Sequence, residues 1–242
     1  MSGRLYVGTS GFGYPAWAPR FYPAGARGDA LLPFYASRLP ACELNGTFYR
    51  QPSEATVASW VAATPPGFRF VVKALRSGVA RAFASDPAGA LPWLLAPLPT
   101  FGERLGAVLF RVGDERPRDD ARLERLLAAW PADVPLVLDF RHPSWIDDVV
   151  LARLRAACAT LCITELNDDV EPPTVRLTGR FIYLRLRRDD YSAAELGAWA
   201  ARAEPFLSAG TDVYVFFRHD PVGRGAELAL SFRDRLATFA PG

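Results

Sequence analysis

Phe181-Ile182-Tyr183-Leu184-Arg185-Leu186-Arg187 alternates with a period of two, placing Ile182, Leu184 and Leu186 on one face and Tyr183, Arg185 and Arg187 on the other. A strand buried on both sides presents its apolar face to covering helices, so the arginines point towards whatever the sheet encloses. An enclosed guanidinium is costly unless it is paired. Acids of matching placement are therefore expected on other strands.

Seven further short, β-rich apolar segments occur at 5–11, 42–48, 68–73, 106–112, 136–141, 160–165 and 213–218. Between them, 31–39, 54–63, 121–130, 149–157, 193–207 and 226–239 carry apolar residues at helical spacing. The third connection, 87–102, is proline-rich and less regular, and the sixth, 171–179, is short. Helix starts are marked chemically. Ser192-Ala193-Ala194-Glu195 is a capping box flanked by Tyr191 and Leu196 as a staple. Asp220-Pro221 predicts a capped start with proline in the first turn, and Ser53 and Ser144 are similar caps. Repeated strand–helix alternation predicts an α/β fold, a single (β/α)8 TIM-type barrel over 1–242. An open doubly wound sheet is the alternative. It would carry a G-x-G-x-x-G or G-K-[ST] loop, and Gly8-Thr9-Ser10-Gly11-Phe12-Gly13 has neither order. That loop reads as a flexible turn.

The composition is that of a core-rich globular chain: 242 residues, half of them apolar, with a net charge of +2. No segment resembles a signal peptide or a membrane span, and Cys42, Cys158 and Cys162 read as reduced core residues, so a cytoplasmic location is expected. The small net charge argues against an extended nucleic-acid partner. Of the 28 basic residues, Lys73 is the lone lysine and the other 27 are arginine.

In such a barrel the active site lies at the C-terminal ends of the strands. Charges collect there: Glu43 with Asn45 and Thr47, Lys73, Arg111, Asp139 with Arg141 and His142, Glu165, Arg185 with Arg187, and Arg218 with His219 and Asp220. Period-two parity turns Glu43, Asn45, Thr47, Asp139, Arg141, Arg185 and Arg187 inward. A structural ion-pair network is the bland alternative, but charges on seven strand ends exceed what one such network requires.

Four candidate roles follow. Glu43, Asp139 and His142 offer acid–base catalysis, with His142 titrating near neutrality. Lys73 suits imine formation or proton transfer, because lysine shifts its pKa on desolvation whereas arginine does not. Its competing role is to neutralise Glu43 or Asp139. Arg185, Arg187, Arg188 and Arg218 offer forked donors to a phosphate or carboxylate at strands seven and eight. With two histidines and no H-x-H or H-E-x-x-H, a histidine zinc cluster is excluded. At most a single carboxylate-bound divalent ion is expected. The functional expectation is an enzyme of lyase or hydrolase type acting on a small phosphorylated or carboxylated ligand. It is catalysed by Glu43, Lys73, Asp139 and His142 and held by Asn45, Tyr49, Arg141, Arg185, Arg187, Arg218 and His219. The alternative is a non-catalytic nucleotide or single-stranded nucleic-acid binding module, stacking bases on Phe12, Tyr14, Trp17, Phe48, Tyr49, Trp145 and Tyr191.

Several ordered motifs are shared with a known family. They are Tyr6-Val7-Gly8-Thr9-Ser10-Gly11 with Tyr14 and Trp17, then Phe21-Tyr22-Pro23, and Glu43-x-Asn45-x-Thr47-Phe48-Tyr49-Arg50 with Pro52. Trp60, Thr64-Pro65 and Phe68-x-Phe70-x-x-Lys73 follow, then Asp139-x-Arg141-His142-Pro143-Ser144-Trp145, Tyr183-x-Arg185, and Phe217 with Asp220. The chain thus resembles the YecE-like proteins, domain of unknown function 72, along nearly its whole length. The resemblance implies a β/α barrel and no particular activity. The family usually has Glu at Asp139, Gln at Arg111, Thr-His near Arg76-Ser77-Gly78, His-Gly at Arg187-Arg188 and Asn at His219. This mouth is accordingly the more arginine-rich.

Overall fold

Eight parallel strands close on themselves: β1 (Leu5–Ser10), β2 (Ala41–Leu44), β3 (Arg69–Lys73), β4 (Leu105–Val112), β5 (Leu136–Phe140), β6 (Thr160–Glu165), β7 (Phe181–Leu186) and β8 (Asp212–Phe217). Each pairs with its sequence neighbour, and β1 pairs with β8 from Leu5↔Val213 to Thr9↔Phe217. The computed structural model describes residues 2–84 and 86–237. The architecture is a (β/α)8 TIM-type barrel.

The helices are α1 (Leu31–Arg38), α2 (Glu54–Ala62), α3 (Arg76–Ala84), α4 (Pro87–Leu95), α5 (Asp120–Ala129), α6 (Asp148–Ala156), α7 (Ala193–Ser208) and α8 (Arg224–Ala237). Ser53 caps α2, and α7 starts on the expected box, with Ser192 and Glu195 exchanging backbone hydrogen bonds. No helix among the described residues is long and apolar enough to cross a membrane.

Four local expectations are corrected. The third connection is more regular than its prolines imply: α3 and α4 fill it, with Pro92 accommodated inside α4. The second strand stops at Leu44 instead of 48. The Thr47 hydroxyl donates to the carbonyls of Leu44 (2.6 Å) and Lys73 (2.7 Å), folding Gly46–Phe48 into a short turn over the end of β3. The last helix begins at Arg224, because the Asp220 carboxylate accepts from the backbone of Val222, Arg224 and Gly225 and caps a whole turn. The expected helix end at Phe239 lies outside the described residues. Finally, Gly8-Thr9-Ser10 is strand and no flexible turn. A Cβ on Gly8 would meet the Ala41 carbonyl oxygen at 1.9 Å, so glycine lets β1 and β2 approach there.

Two cores result. The larger lies between strands and helices; the smaller fills the barrel. Inside, the filling is lopsided. Tyr6, Tyr183, Tyr214 and Phe216 come from β1, β7 and β8, with Tyr6 stacked on Tyr214 at 4.6 Å. Facing them from β2–β5 are the smaller Ala41, Val71, Ala107, Leu109 and Val137. The charged mouth rests on this apolar floor.

Candidate active site at the C-terminal mouth of the barrel

The inward parity of β7 brings Arg185 to the centre of the mouth. Its guanidinium is forked: Nη2 donates to Glu43 Oε1 at 2.8 Å and Nη1 to Asp139 Oδ2 at 2.9 Å. All three side chains are buried. Glu43 also accepts from Ser10 Oγ (2.9 Å) and Tyr183 Oη (2.7 Å). Burial pushes the Glu43 carboxyl up, but the Arg185 and Arg187 charges outweigh it and hold the group at about 2. Burial likewise opposes the Arg185 charge, and Glu43 and Asp139 reverse this and raise its pKa. A fully bonded carboxylate of that acidity is a poor general base. The geometry makes Glu43 an anchor for Arg185.

Above this triad opens a cavity of about 450 Å³. Five cations line it, Lys73, Arg111, Arg141, Arg185 and Arg187, and no acid does. The buried carboxylates beneath serve Arg185 first. Arg141 and Arg111 reach Asp139 only at 3.8 and 4.0 Å, and Asp139 Oδ1 has no hydrogen-bond partner. Arg187 donates to Ser10 Oγ, so Ser10 links it to Glu43. Burial and the neighbouring Arg185 lower the Arg187 pKa to about 10, leaving it a cation at neutral pH. Clefts of about 590 and 700 Å³ flank the mouth, sharing Arg111 and Gly46 with it respectively.

Lys73 ends β3 among these arginines. Among the described residues it forms no ion pair; its Nζ lies 4.1 Å from the centre of the Phe48 ring. Burial, with Arg185 next and Arg111 adding to it, lowers its pKa to about 8 against the pull of Glu43 and Asp139. The neutralising role expected of Lys73 thus belongs to Arg185.

The remaining predicted residues divide. Asn45, Tyr49, Arg141, Arg185, Arg187 and His219 line the cavity. Asn45 Nδ2 donates to the Ser10 carbonyl (3.3 Å) and lies 3.4 Å from His219 Nδ1. His219 stacks on Tyr14 with ring centroids 5.1 Å apart. Burial and the charges of Arg187 and Arg218 lower the His219 pKa. His142 is not brought there: its Nδ1 accepts from the Ser144 backbone and caps the turn Pro143–Trp145. Arg218, exposed, pairs with Asp189 at the rim, because β8 ends at Phe217 and the chain turns outward. Arg188 pairs with Glu195, and Glu165 faces the helices, accepting from Trp199 Nε1 at 2.9 Å. The anion-binding arginines expected at strands seven and eight are therefore mostly spent in pairs.

Reading the sequence missed Ser10 and Thr164 as parts of the site, and counted Arg111 only among the mouth charges and Tyr14 only among the stacking aromatics. Parity carried the signal for Ser10, which shares a face with Tyr6 and Gly8, and for Arg111, two residues beyond the inward Leu109. The expected base-stacking surface is not assembled. Trp17, Trp145 and Tyr191 are buried anchors, their indoles donating to the Asp220 and Arg116 carbonyls in the first two cases, while Tyr49 stands 78% exposed at the rim. The donor set does not suit a divalent ion either. Glu43 and Asp139 are bonded to a guanidinium and ringed by cations. Among the described residues no three His, Cys, Asp or Glu side chains come together.

Known proteins resemble this chain. A family model described as "Protein of unknown function DUF72" matches residues 6–241. A crystal structure of a DUF72 family protein from Thermotoga maritima superposes with a TM-score of 0.82 at 25% identity, covering 97% of this chain and 99% of that one. One from Enterococcus faecalis gives 0.77 at 21% identity, covering 96% and 95%. The UPF0759 protein YunF of Bacillus subtilis is 26% identical over 150 residues, 58% of this chain and 52% of that protein, so the match spans about half the length of this curated relative.

Proposed function

The chain belongs to the DUF72 family, proteins of unknown function, and from that premise we propose that its barrel mouth binds a small phosphorylated or carboxylated ligand and performs acid–base chemistry on it. One observation carries the reading: the cavity is lined by five cations and no acid, over two carboxylates already bonded to Arg185. Such an excess is unfavourable in a protein interior unless an anion completes it. Arg111, Arg141 and Arg187 offer planar forks that match phosphate or carboxylate. Within reach of that seat are two groups able to exchange protons, Lys73, held near 8, and His219, whose pKa burial and the Arg187 and Arg218 charges lower. The buried tryptophans favour this reading over a module that stacks bases.

Crystals soaked in phosphate test it. The anion is expected in the mouth within hydrogen-bond distance of Arg141 or Arg187. Two charge-assisted bonds of about 1.5–3 kcal/mol each correspond to roughly millimolar binding. An empty mouth at saturating phosphate, with Arg141 and Arg187 unmoved, overturns the reading.

A further inference from the structure

Alone among the cations of the mouth the Lys73 amine is able to lose its proton near neutral pH, and among the described residues it has no acid partner. Its position is fixed by a dedicated contact. Thr47 clips the turn after β2 to the Lys73 carbonyl, and this sets the Phe48 ring against the side-chain nitrogen. One side of the amine is thereby kept from water, while the cavity holding Arg111, Arg141 and Arg187 opens beside it. A molecule whose anion is seated on those guanidiniums brings its remaining atoms to the nitrogen.

Resting on the anion-binding reading above, we infer that Lys73 is a nucleophile forming an imine with an aldehyde or ketone that carries a phosphate or carboxylate. The neutral nitrogen attacks the carbonyl carbon and the C=O π pair moves to oxygen, which gains a proton from the nitrogen. A further proton from solvent turns that oxygen into water. The C–O bond breaks as the nitrogen lone pair forms C=N⁺. One amine, one carbonyl and one proton yield one protonated imine and one water, with no change of oxidation level. The cationic imine then draws electrons from the adjacent carbon, as lyase and isomerase steps require.

The groups facing Lys73 set its protonation. Arg185 of β7 and Arg111 of β4 oppose the ammonium and Glu43 of β2 and Asp139 of β5 favour it, leaving it near 8 with burial included. About a tenth is then free amine at neutral pH.

Borohydride trapping on the whole protein tests the inference, with glycolaldehyde phosphate and glyoxylate as anionic probes and uncharged glycolaldehyde as control. Lys73 is the only lysine, so intact mass and one peptide map separate it from the N-terminal amine. The expected result is one adduct on the Lys73 peptide. It should form about tenfold or more faster with an anionic probe than with glycolaldehyde, the worth of one charge-assisted bond, and be slowed by inorganic phosphate. Whichever anionic probe reacts faster identifies phosphate or carboxylate as the preferred anion. Adduct confined to the N-terminal amine, while Lys73→Arg and the native protein both bind phosphate, overturns the imine and leaves the anion site standing. Lys73 labelled equally by all three probes, without protection by phosphate, overturns the anion seat instead.

Discussion

Arg185 Nη2 lies 2.8 Å from Glu43 Oε1, with both side chains buried, joining β7 to β2 across the barrel. The pair is the base of the mouth, and its energetics are asymmetric. Removing one partner strands the other without compensation, which costs about 3–5 kcal/mol. Arg185→Ala is expected to lower stability by that amount in urea unfolding. Arg185→Lys should recover only part of it, since an ammonium cannot fork to Glu43 and Asp139 together.

Acid should unfold the protein partly through Glu43. Its folded pKa of about 2 lies below the ordinary glutamate value of 4.5, so its contribution is complete above about 4.5 and is lost as pH falls towards 2. Stability measured from pH 6 down to pH 2 should fall steeply in that window, and Glu43→Gln should flatten the fall while lowering stability at neutral pH.

The single lysine permits a direct titration. Protein carrying ¹³C-lysine should show one side-chain resonance, from Lys73, with a midpoint near 8 and well below the ordinary 10.5. Phosphate in the mouth favours the ammonium, so its addition should move the midpoint up. A midpoint above 10 that ignores phosphate would place the amine in solvent.

Mouth and rim arginines should separate in phosphate titrations followed by calorimetry. Arg141→Ala and Arg187→Ala are expected to weaken binding about tenfold or more, the loss of one charge-assisted bond. Arg218→Ala and His142→Ala should change it by less than about twofold, because exposed pairs such as Arg218–Asp189 contribute little. Equal losses from all four would deny the cavity its role.

The barrel was legible because its signal is repeated. Eight apolar segments with one helix-facing parity leave little room for another sheet, and parity also turned Glu43, Asp139 and Arg185 inward correctly. What parity cannot carry is partner choice. Three arginines of similar placement, Arg185, Arg187 and Arg218, end in a buried fork, a hydroxyl contact and a rim ion pair, and only the three-dimensional distances among strands distinguish them. His142 was a candidate by residue type and not by parity. It lies just past the end of β5, where it caps the turn Pro143–Trp145 and stays out of the mouth.

A ladder of backbone hydrogen bonds ties each strand only to its two neighbours, so a closed ring of eight can flatten towards an ellipse while every ladder survives. The Arg185 fork acts as a pair of spokes, from β7 to β2 and from β7 to β5, that skip over the intervening strands. The two spokes hold β2 and β5 at set distances from β7, two of the spans that flattening would have to change. The aperture of the mouth is therefore constrained from within the wheel as well as by its rim loops.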